Sequence, residues 1–235
     1  MAAADRRAID LAGGYNRPIR IIPAAAAPDN NHRRAGQNGI DWFEQLGAAD
    51  VHALDLIDRQ SADDPDIAAE LARARLIFLL GGFPHYLGQT LMDSRSWQAI
   101  LDAHSQGAVI AGSSAGAMVL CEYYYDPATT QLQPGLGLVG GVCVLPHHET
   151  VGKDWAPLIR KNSARIILVG IDEQTGLIND AEAGRWRVYG NGKVTLYRSN
   201  ISRQFIARQE LRLATRPLTE RGLPASEPAV APPLS

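Results

Sequence analysis

The chain has 235 residues, of which 46% are apolar and 20% charged, with a formal net charge of −2. This composition supports a buried core and excludes a disordered chain, and the small net charge favours neither a nucleic acid nor a membrane surface as a partner. The two cysteines, Cys121 and Cys143, are too few for a disulfide framework, and no apolar run approaches the roughly 20 residues of a membrane-spanning helix. We therefore expect a cytoplasmic protein.

Helix and strand patterns alternate along most of the chain. Asp64-Pro65-Asp66 is typical of a helix start, because an acidic cap and a proline at the first position suit the helix terminus. Residues 76–80 are a continuous apolar run, which is typical of a strand buried on both faces. The periodicity predicts helices at 2–11, 37–46, 64–74, around Leu87, around Trp97 and from 114 onward, and strands at 17–22, 51–56, 76–80, 108–111, 142–145 and 166–170.

This alternation predicts an α/β fold in which a mostly parallel sheet is covered by helices on both sides. Two apolar runs at 186–189 and 194–197 flank Gly190-Asn191-Gly192-Lys193, and the Asn-Gly step predicts a C-terminal β-hairpin there. The segment 215–235 has five prolines and few large apolar residues, so we expect a disordered tail. Residues 1–210 would then form a single α/β domain.

The run Gly112-Ser113-Ser114-Ala115-Gly116 lies where a buried strand passes into a helix. A turn this tight projects its central side chain at the carboxyl end of the sheet, and the small neighbours relieve the crowding of the backbone. The helix N-terminus favours negative charge at that point, as an acyl-transfer intermediate requires. Ser114 is therefore the candidate nucleophile. A helix cap is the plainer interpretation of this serine, and Ser113 is the neighbouring candidate.

A serine nucleophile needs a base and an acid that orients the base. His147 and His148 follow an apolar strand, at the sheet edge where α/β enzymes collect catalytic groups. Glu122 and Asp126 lie between Ser114 and His147 and are both candidates for the acid. We expect the elbow helix to end at Asp126, which would leave its carboxylate on a turn. The histidines and cysteines show no metal-ligand spacing, so we expect no metal and no cofactor.

Four segments together resemble one known family, the dipeptidase E/cyanophycinase family of serine peptidases, which has a class I glutamine amidotransferase-like fold. Their order and spacing are more specific than any one of them alone. The segments are Phe78-Leu79-Leu80-Gly81-Gly82-Phe83-Pro84, Gly112-Ser113-Ser114-Ala115-Gly116-Ala117, Gly135-Leu136-Gly137-Leu138 leading to Leu145-Pro146-His147, and Gly170-Ile171-Asp172-Glu173-Gln174-Thr175.

The resemblance implies a flavodoxin-like three-layer sandwich and a Ser–His–Asp/Glu triad. Carried over to this sequence, Ser114 is the nucleophile, His147 is the general base, and Asp126 corresponds best to the acid. The resemblance further implies an oxyanion hole formed by the backbone N–H of Ala115 and by a backbone N–H near Gly82 or Phe83. The remaining candidates for contacts with the substrate or with the triad are Phe83, His85, Glu122, His148 and Glu173.

The sequence departs from the family pattern at its start and at the site mouth. Family members usually begin with a strand that precedes the first helix, and that strand is missing from this sequence, so dimerisation is one way to cover an open sheet edge. Phe83 stands where a third glycine is typical, which would narrow the mouth if its ring points inward.

The resemblance implies a serine-type peptidase or amidase that hydrolyses small peptides through an acyl-enzyme on Ser114. Two alternatives stay open. One is an amidotransferase-like enzyme, which would need a cysteine at the elbow, whereas Cys121 lies further along the helix. The other is a non-catalytic protein that keeps the fold.

Overall fold

The computed structural model describes residues 2–162, 166–181, 184–198 and 201–213, so the predicted tail at 215–235 lies outside the described residues. The helices are α1 (Ala2–Leu11), α2 (His32–Gln45), α3 (Arg59–Ala62), α4 (Pro65–Arg73), α5 (Pro84–Leu91), α6 (Arg95–Ser105), α7 (Ala115–Val119) and α8 (Lys153–Asn162). The strands are β1 (Ile19–Ile22), β2 (Val51–Ala53), β3 (Leu76–Leu79), β4 (Val109–Gly112), β5 (Tyr123–Asp126), β6 (Gln131–Pro134), β7 (Val142–Leu145), β8 (Ile167–Ile171), β9 (Thr175–Ile178), β10 (Arg185–Gly190), β11 (Lys193–Arg198), β12 (Ile201–Ile206) and β13 (Glu210–Arg212).

The first half of the chain builds a parallel sheet in the order β2-β1-β3-β4. All four residues of β3 are buried, as its apolar run predicts, and they point alternately into two separate cores. Ile77 and Leu79 pack with Leu71, Leu87 and Ile100, while Leu76 and Phe78 pack with Ile9 and Phe43. Helices therefore cover the sheet on both faces, and the predicted α/β sandwich is confirmed.

The predicted start of α4 is also confirmed. The Asp64 carboxylate accepts hydrogen bonds from the backbone N–H groups of Asp66 and Ile67, and Pro65 occupies the first turn. By contrast, the helix predicted from residue 37 already begins at His32.

The helix after the elbow is shorter than expected. It ends at Val119, and Tyr123–Asp126 forms a strand that pairs antiparallel with β6. The prediction that Asp126 ends the helix is wrong, because three consecutive tyrosines favour a pleated strand over a helix.

Beside the β5–β6 pair, the described second half of the chain forms two larger sheets. Parallel strands β7 and β8 continue into antiparallel β11 and β12, and β10 lies between β9 and β13. The C-terminal hairpin is present, but it is formed by β11 and β12. The hairpin predicted across Asn191-Gly192 is wrong, because β10 pairs with β9 and β13 while β11 pairs with β8 and β12. No helix in the described ranges has the length and apolar character needed to cross a membrane.

Candidate active site

The residues between β4 and α7 form a sharp strand-to-helix turn. Ser114 stands at its apex with φ 48° and ψ −115°, a conformation that few residues other than glycine adopt. The N–H of Ser113 donates to the Leu79 carbonyl of the neighbouring strand at 3.0 Å. A side chain at Gly116 would place its Cβ 2.2 Å from that same carbonyl oxygen. The glycine therefore lets α7 start directly against the sheet, and Ser114 is pushed out at its carboxyl edge.

His147 is the partner of this serine. Its Nε2 lies 2.9 Å from the Ser114 Oγ. The residue follows β7 in the left-handed conformation, with φ 51° and ψ 41°, and begins a tight turn over His148–Gly152. Its carbonyl accepts hydrogen bonds from the N–H groups of Thr150, Val151 and Gly152, which fix the backbone beneath the imidazole. The structure thus brings together the two residues that sequence reasoning placed first.

Glu173 lies on the far side of the imidazole, where its Oε1 contacts the Nδ1 of His147. Because an ionised carboxylate can only accept, Nδ1 carries the proton, and Nε2 is left as the acceptor for the Ser114 hydroxyl. The serine, imidazole and carboxylate form one continuous hydrogen-bonded chain. The histidine side chain is 43% exposed and that of Glu173 56% exposed, so these hydrogen-bonded side chains lie in an open site.

Asp126 is not part of the hydrogen-bonded series of Ser114, His147 and Glu173, which corrects its expected role as the orienting acid. Its carboxylate is buried in the β5–β6 turn, where it accepts from the Ala128 N–H at 3.0 Å and from the Thr129 hydroxyl at 2.9 Å. Both bonds close the turn of that hairpin. The physical reason is the strand at Tyr123–Asp126, which carries the carboxylate into the hairpin turn.

The remaining candidates have partners of their own. Glu122 accepts from the Gly141 N–H at 2.6 Å, and the His85 Nδ1 lies 2.9 Å from the Tyr124 hydroxyl. His148 is buried, with Nε2 2.8 Å from the Tyr197 hydroxyl and Nδ1 3.4 Å from an Asp172 oxygen. Of these three side chains, Glu122 holds a backbone group and the two histidines bond other side chains, and none of them reaches Ser114 by a hydrogen bond in the described part of the chain.

Two backbone N–H groups are available beside Ser114. Among the described residues, neither the Gly82 N–H nor the Ala115 N–H donates to another protein group, whereas the Phe83 N–H donates to the Ala25 carbonyl at 2.8 Å. Gly82 has φ 141°, and a Cβ there would lie 2.2 Å from the Ala25 oxygen. Of the two donors considered near the β3 end, only Gly82 is thus left to serve an oxyanion. The Phe83 side chain is 43% exposed.

The sequence favours Asp126 over Glu173 as the orienting acid, whereas the pairing of β7 with β8 favours Glu173. β7 and β8 are parallel neighbours in which Leu145 pairs with Gly170, so the residues just beyond the two strands meet at one edge. His147 and Glu173 each come two residues after the end of their strand. The order of strands in the sheet, which local patterns do not reveal, decides which acid the histidine meets.

The described residues contain no group of three or more His, Cys, Asp or Glu side chains that could hold a metal ion. Burial raises the pKa of the Cys121 thiol to about 12. This cysteine is therefore a protonated core residue at neutral pH and not a nucleophile.

Comparison with known proteins finds one family. The model described as "Peptidase family S51" matches residues 2–185. A cyanophycinase of Synechococcus elongatus is 31% identical over 198 residues, which cover 79% of this chain and 60% of that protein. A cyanophycinase of Geminocystis herdmanii is 28% identical over 197 residues, covering 79% and 71%. The chain thus spans about 60% of the length of the first of these relatives.

Two solved structures are similar over most of the chain. A peptidase from an acI-B1 Actinobacterium has a TM-score of 0.80 and 30% identity, covering 90% of this chain and 91% of that one. A putative peptidase E protein from Listeria monocytogenes has a TM-score of 0.52 and 17% identity, covering 87% and 91%. The second likeness concerns the fold alone.

Proposed function

The chain belongs to peptidase family S51, and from that membership we propose that it is a serine peptidase with Ser114 as nucleophile, His147 as general base and Glu173 as the orienting acid. The observation that carries this proposal is the continuous chain from the Ser114 Oγ through the imidazole to the Glu173 carboxylate. The actinobacterial structure, described as a peptidase, supports it.

The reaction begins when His147 Nε2 takes the proton of the Ser114 hydroxyl as Oγ attacks the carbonyl carbon of a peptide or amide. The carbonyl π electrons move to its oxygen, which the N–H groups of Gly82 and Ala115 stabilise. The imidazolium then gives its proton to the leaving nitrogen as the C–N bond breaks. Water, deprotonated by the same imidazole, then attacks the acyl carbon. The bond from that carbon to Ser114 Oγ breaks, the imidazolium returns its proton to Oγ, and the acid is released. Glu173 stabilises the imidazolium in both halves of the reaction.

The two alternatives find less support. An amidotransferase-like enzyme needs a reactive thiolate, and burial gives the Cys121 thiol a pKa of about 12. A non-catalytic descendant of the fold has no need to keep serine and imidazole at 2.9 Å with both backbones in positive-φ conformations. Small peptides and amides remain our proposal for the substrate, since an open site with exposed triad members admits a short chain without a deep pocket.

A fluorophosphonate probe tests the nucleophile directly, because it phosphonylates an activated serine. We expect the wild-type protein to be labelled and Ser114→Ala to lose labelling completely, while Ser113→Ala, the matched control one residue away, is still labelled. Labelling that persists in Ser114→Ala and vanishes in Ser113→Ala would move the nucleophile to Ser113.

Hydrolysis of a panel of dipeptide and tripeptide amides, run beside Ser114→Ala, tests the reaction class. We expect the substitution to lower kcat by several powers of ten, since removal of a triad nucleophile leaves only binding and the oxyanion donors. Equal rates for the two proteins on every cleaved amide would contradict the proposed function.

A further inference from the structure

The turn that follows β7 holds more than the histidine. Glu149 lies two residues after His147 within the tight turn His148–Gly152. Its carboxylate does not point at the imidazole. Both of its oxygens accept from the backbone N–H of Glu173, at 2.9 and 2.8 Å. One short turn therefore carries both the base and a clamp on the residue that orients the base.

The clamp has a clear task because the Glu173 side chain is 56% exposed. An exposed glutamate loses rotamer freedom when it is held against one partner, and a single contact to His147 opposes that loss weakly. The next residue, Gln174, has φ 53°, so the segment itself is bent away from an ordinary strand. Fixing the backbone N–H of Glu173 limits where its Cα can lie, and the remaining side chain then reaches Nδ1.

We propose that Glu149 is a positioning residue of the triad, which holds Glu173 in register with His147 through the backbone of residue 173. This inference rests on the proposed function of Ser114, His147 and Glu173. The interaction needs an acceptor of the right length and not a charge, because the group that it holds is a neutral N–H.

Three substitutions separate length, charge and the acceptor itself. Glu149→Ala removes the acceptor, and Glu149→Asp keeps the charge on a shorter side chain. Glu149→Gln keeps the length and one acceptor oxygen without the charge. We expect kcat for a cleaved peptide amide to fall about tenfold to a hundredfold in the Ala and Asp variants, because small displacements at a catalytic group have effects of that size. KM should stay within about twofold, and Gln should recover most of kcat.

Glu122→Ala is the matched control, because Glu122 also accepts from a backbone N–H, that of Gly141, but touches no triad residue in the described part of the chain. We expect it to lower the melting temperature at least as much as Glu149→Ala while keeping the wild-type kcat. If Glu149→Ala does not fold, the Asp and Gln variants carry the same comparison.

The result that would overturn the inference is a wild-type kcat in Glu149→Ala and Glu149→Asp, or a Gln variant as slow as Ala, in a protein whose Ser114→Ala variant is inactive. Failure of the proposed function looks different, since Ser114→Ala would then hydrolyse the same amide at the wild-type rate.

Discussion

Three residues of the site have backbone angles that side chains rarely adopt. Ser114, His147 and Gln174 have φ values of 48°, 51° and 53°. Each such conformation costs of order 1–3 kcal/mol and persists only where the surrounding contacts over-determine it. The contacts are present here: β3 and Gly116 fix the serine, and the carbonyl of His147 accepts three N–H groups. Contacts within the protein therefore hold the candidate site in this geometry.

Replacing each of the two candidate acids by its amide tests which of them orients His147. We expect Glu173→Gln to lower kcat at least a hundredfold, because an amide neither stabilises the imidazolium nor fixes the tautomer with Nε2 free to accept. Asp126→Asn is the control, and it should lower the melting temperature by loosening the β5–β6 turn while kcat stays near the wild-type value. Steady-state kinetics on one peptide amide measure both, and an inactive Asp126→Asn with an active Glu173→Gln would restore Asp126 to the triad.

At the scale of elements, the site depends on which strands are neighbours. The buried run of β3, the elbow after β4 and the strand before His147 are local patterns, and all of them were predictable from the sequence. Glu173 is harder to predict as the partner of His147, because its place depends on the parallel pairing of β7 with β8. The resemblance favours Asp126 as the acid that follows the elbow helix, but Tyr123–Asp126 is a strand, which carries this carboxylate into the β5–β6 turn.

The link between β10 and β11 shows the same division between local and long-range information. Asn191-Gly192 bends the chain between two strands, in keeping with its composition, but the flanking strands enter different sheets. These two residues are bonded instead to the segment that follows Glu173. The Asn191 N–H donates to the Gln174 carbonyl, and the Gly192 N–H donates to the Thr175 hydroxyl at 2.9 Å. Turn chemistry is readable from two residues, whereas strand partners are not.

Thr175 joins the bend at Asn191-Gly192 to Glu173, which gives a prediction for this element. Its buried hydroxyl accepts from Gly192 and donates to the Glu173 carbonyl at 3.0 Å. Thr175→Val keeps the shape but leaves a part-buried N–H and a carbonyl unsatisfied, so we expect a loss of about 1–3 kcal/mol in the free energy of unfolding. Thr175→Ser, which retains the hydroxyl, should lose less. Urea denaturation of both variants provides the measurement, and equal stability of Val and wild type would contradict the assignment.

At the scale of the whole molecule, an ionic cluster joins α1 to the C-terminal sheets. The Asp180 carboxylate, whose side chain is fully buried, accepts from Arg7 at 2.6 Å and from the Tyr189 hydroxyl at 2.5 Å. Burial alone would raise the pKa of Asp180, but the hydrogen bonds from Tyr189 and Arg7 lower it below its ordinary value. The charged carboxylate is therefore part of the folded structure.

This lowered pKa makes part of the stability dependent on pH. A carboxyl group whose pKa is lower in the folded than in the unfolded state stabilises the fold above a pH of about 4, and the contribution is lost as the pH falls through the folded value. We expect Asp180→Asn to melt at a lower temperature than wild type at pH 7, with the difference shrinking as the pH falls below about 4. Asp10→Asn, at an exposed position of α1, is the control, and thermal melts of both variants across that pH range provide the measurement. A difference that grows as the pH falls would contradict the prediction.

The bond between Arg7 and Asp180 also has a consequence for folding while the chain is synthesised on the ribosome. Its two residues are 173 positions apart. At a translation rate of 5–20 residues per second, Asp180 is therefore synthesised roughly 10 to 35 seconds after Arg7. In that interval α1 can already pack through Ile9 against Phe43, but its ion pair with Asp180 cannot yet form. A nascent chain stalled before β9 therefore has α1 packed on the parallel sheet without its bond to Asp180.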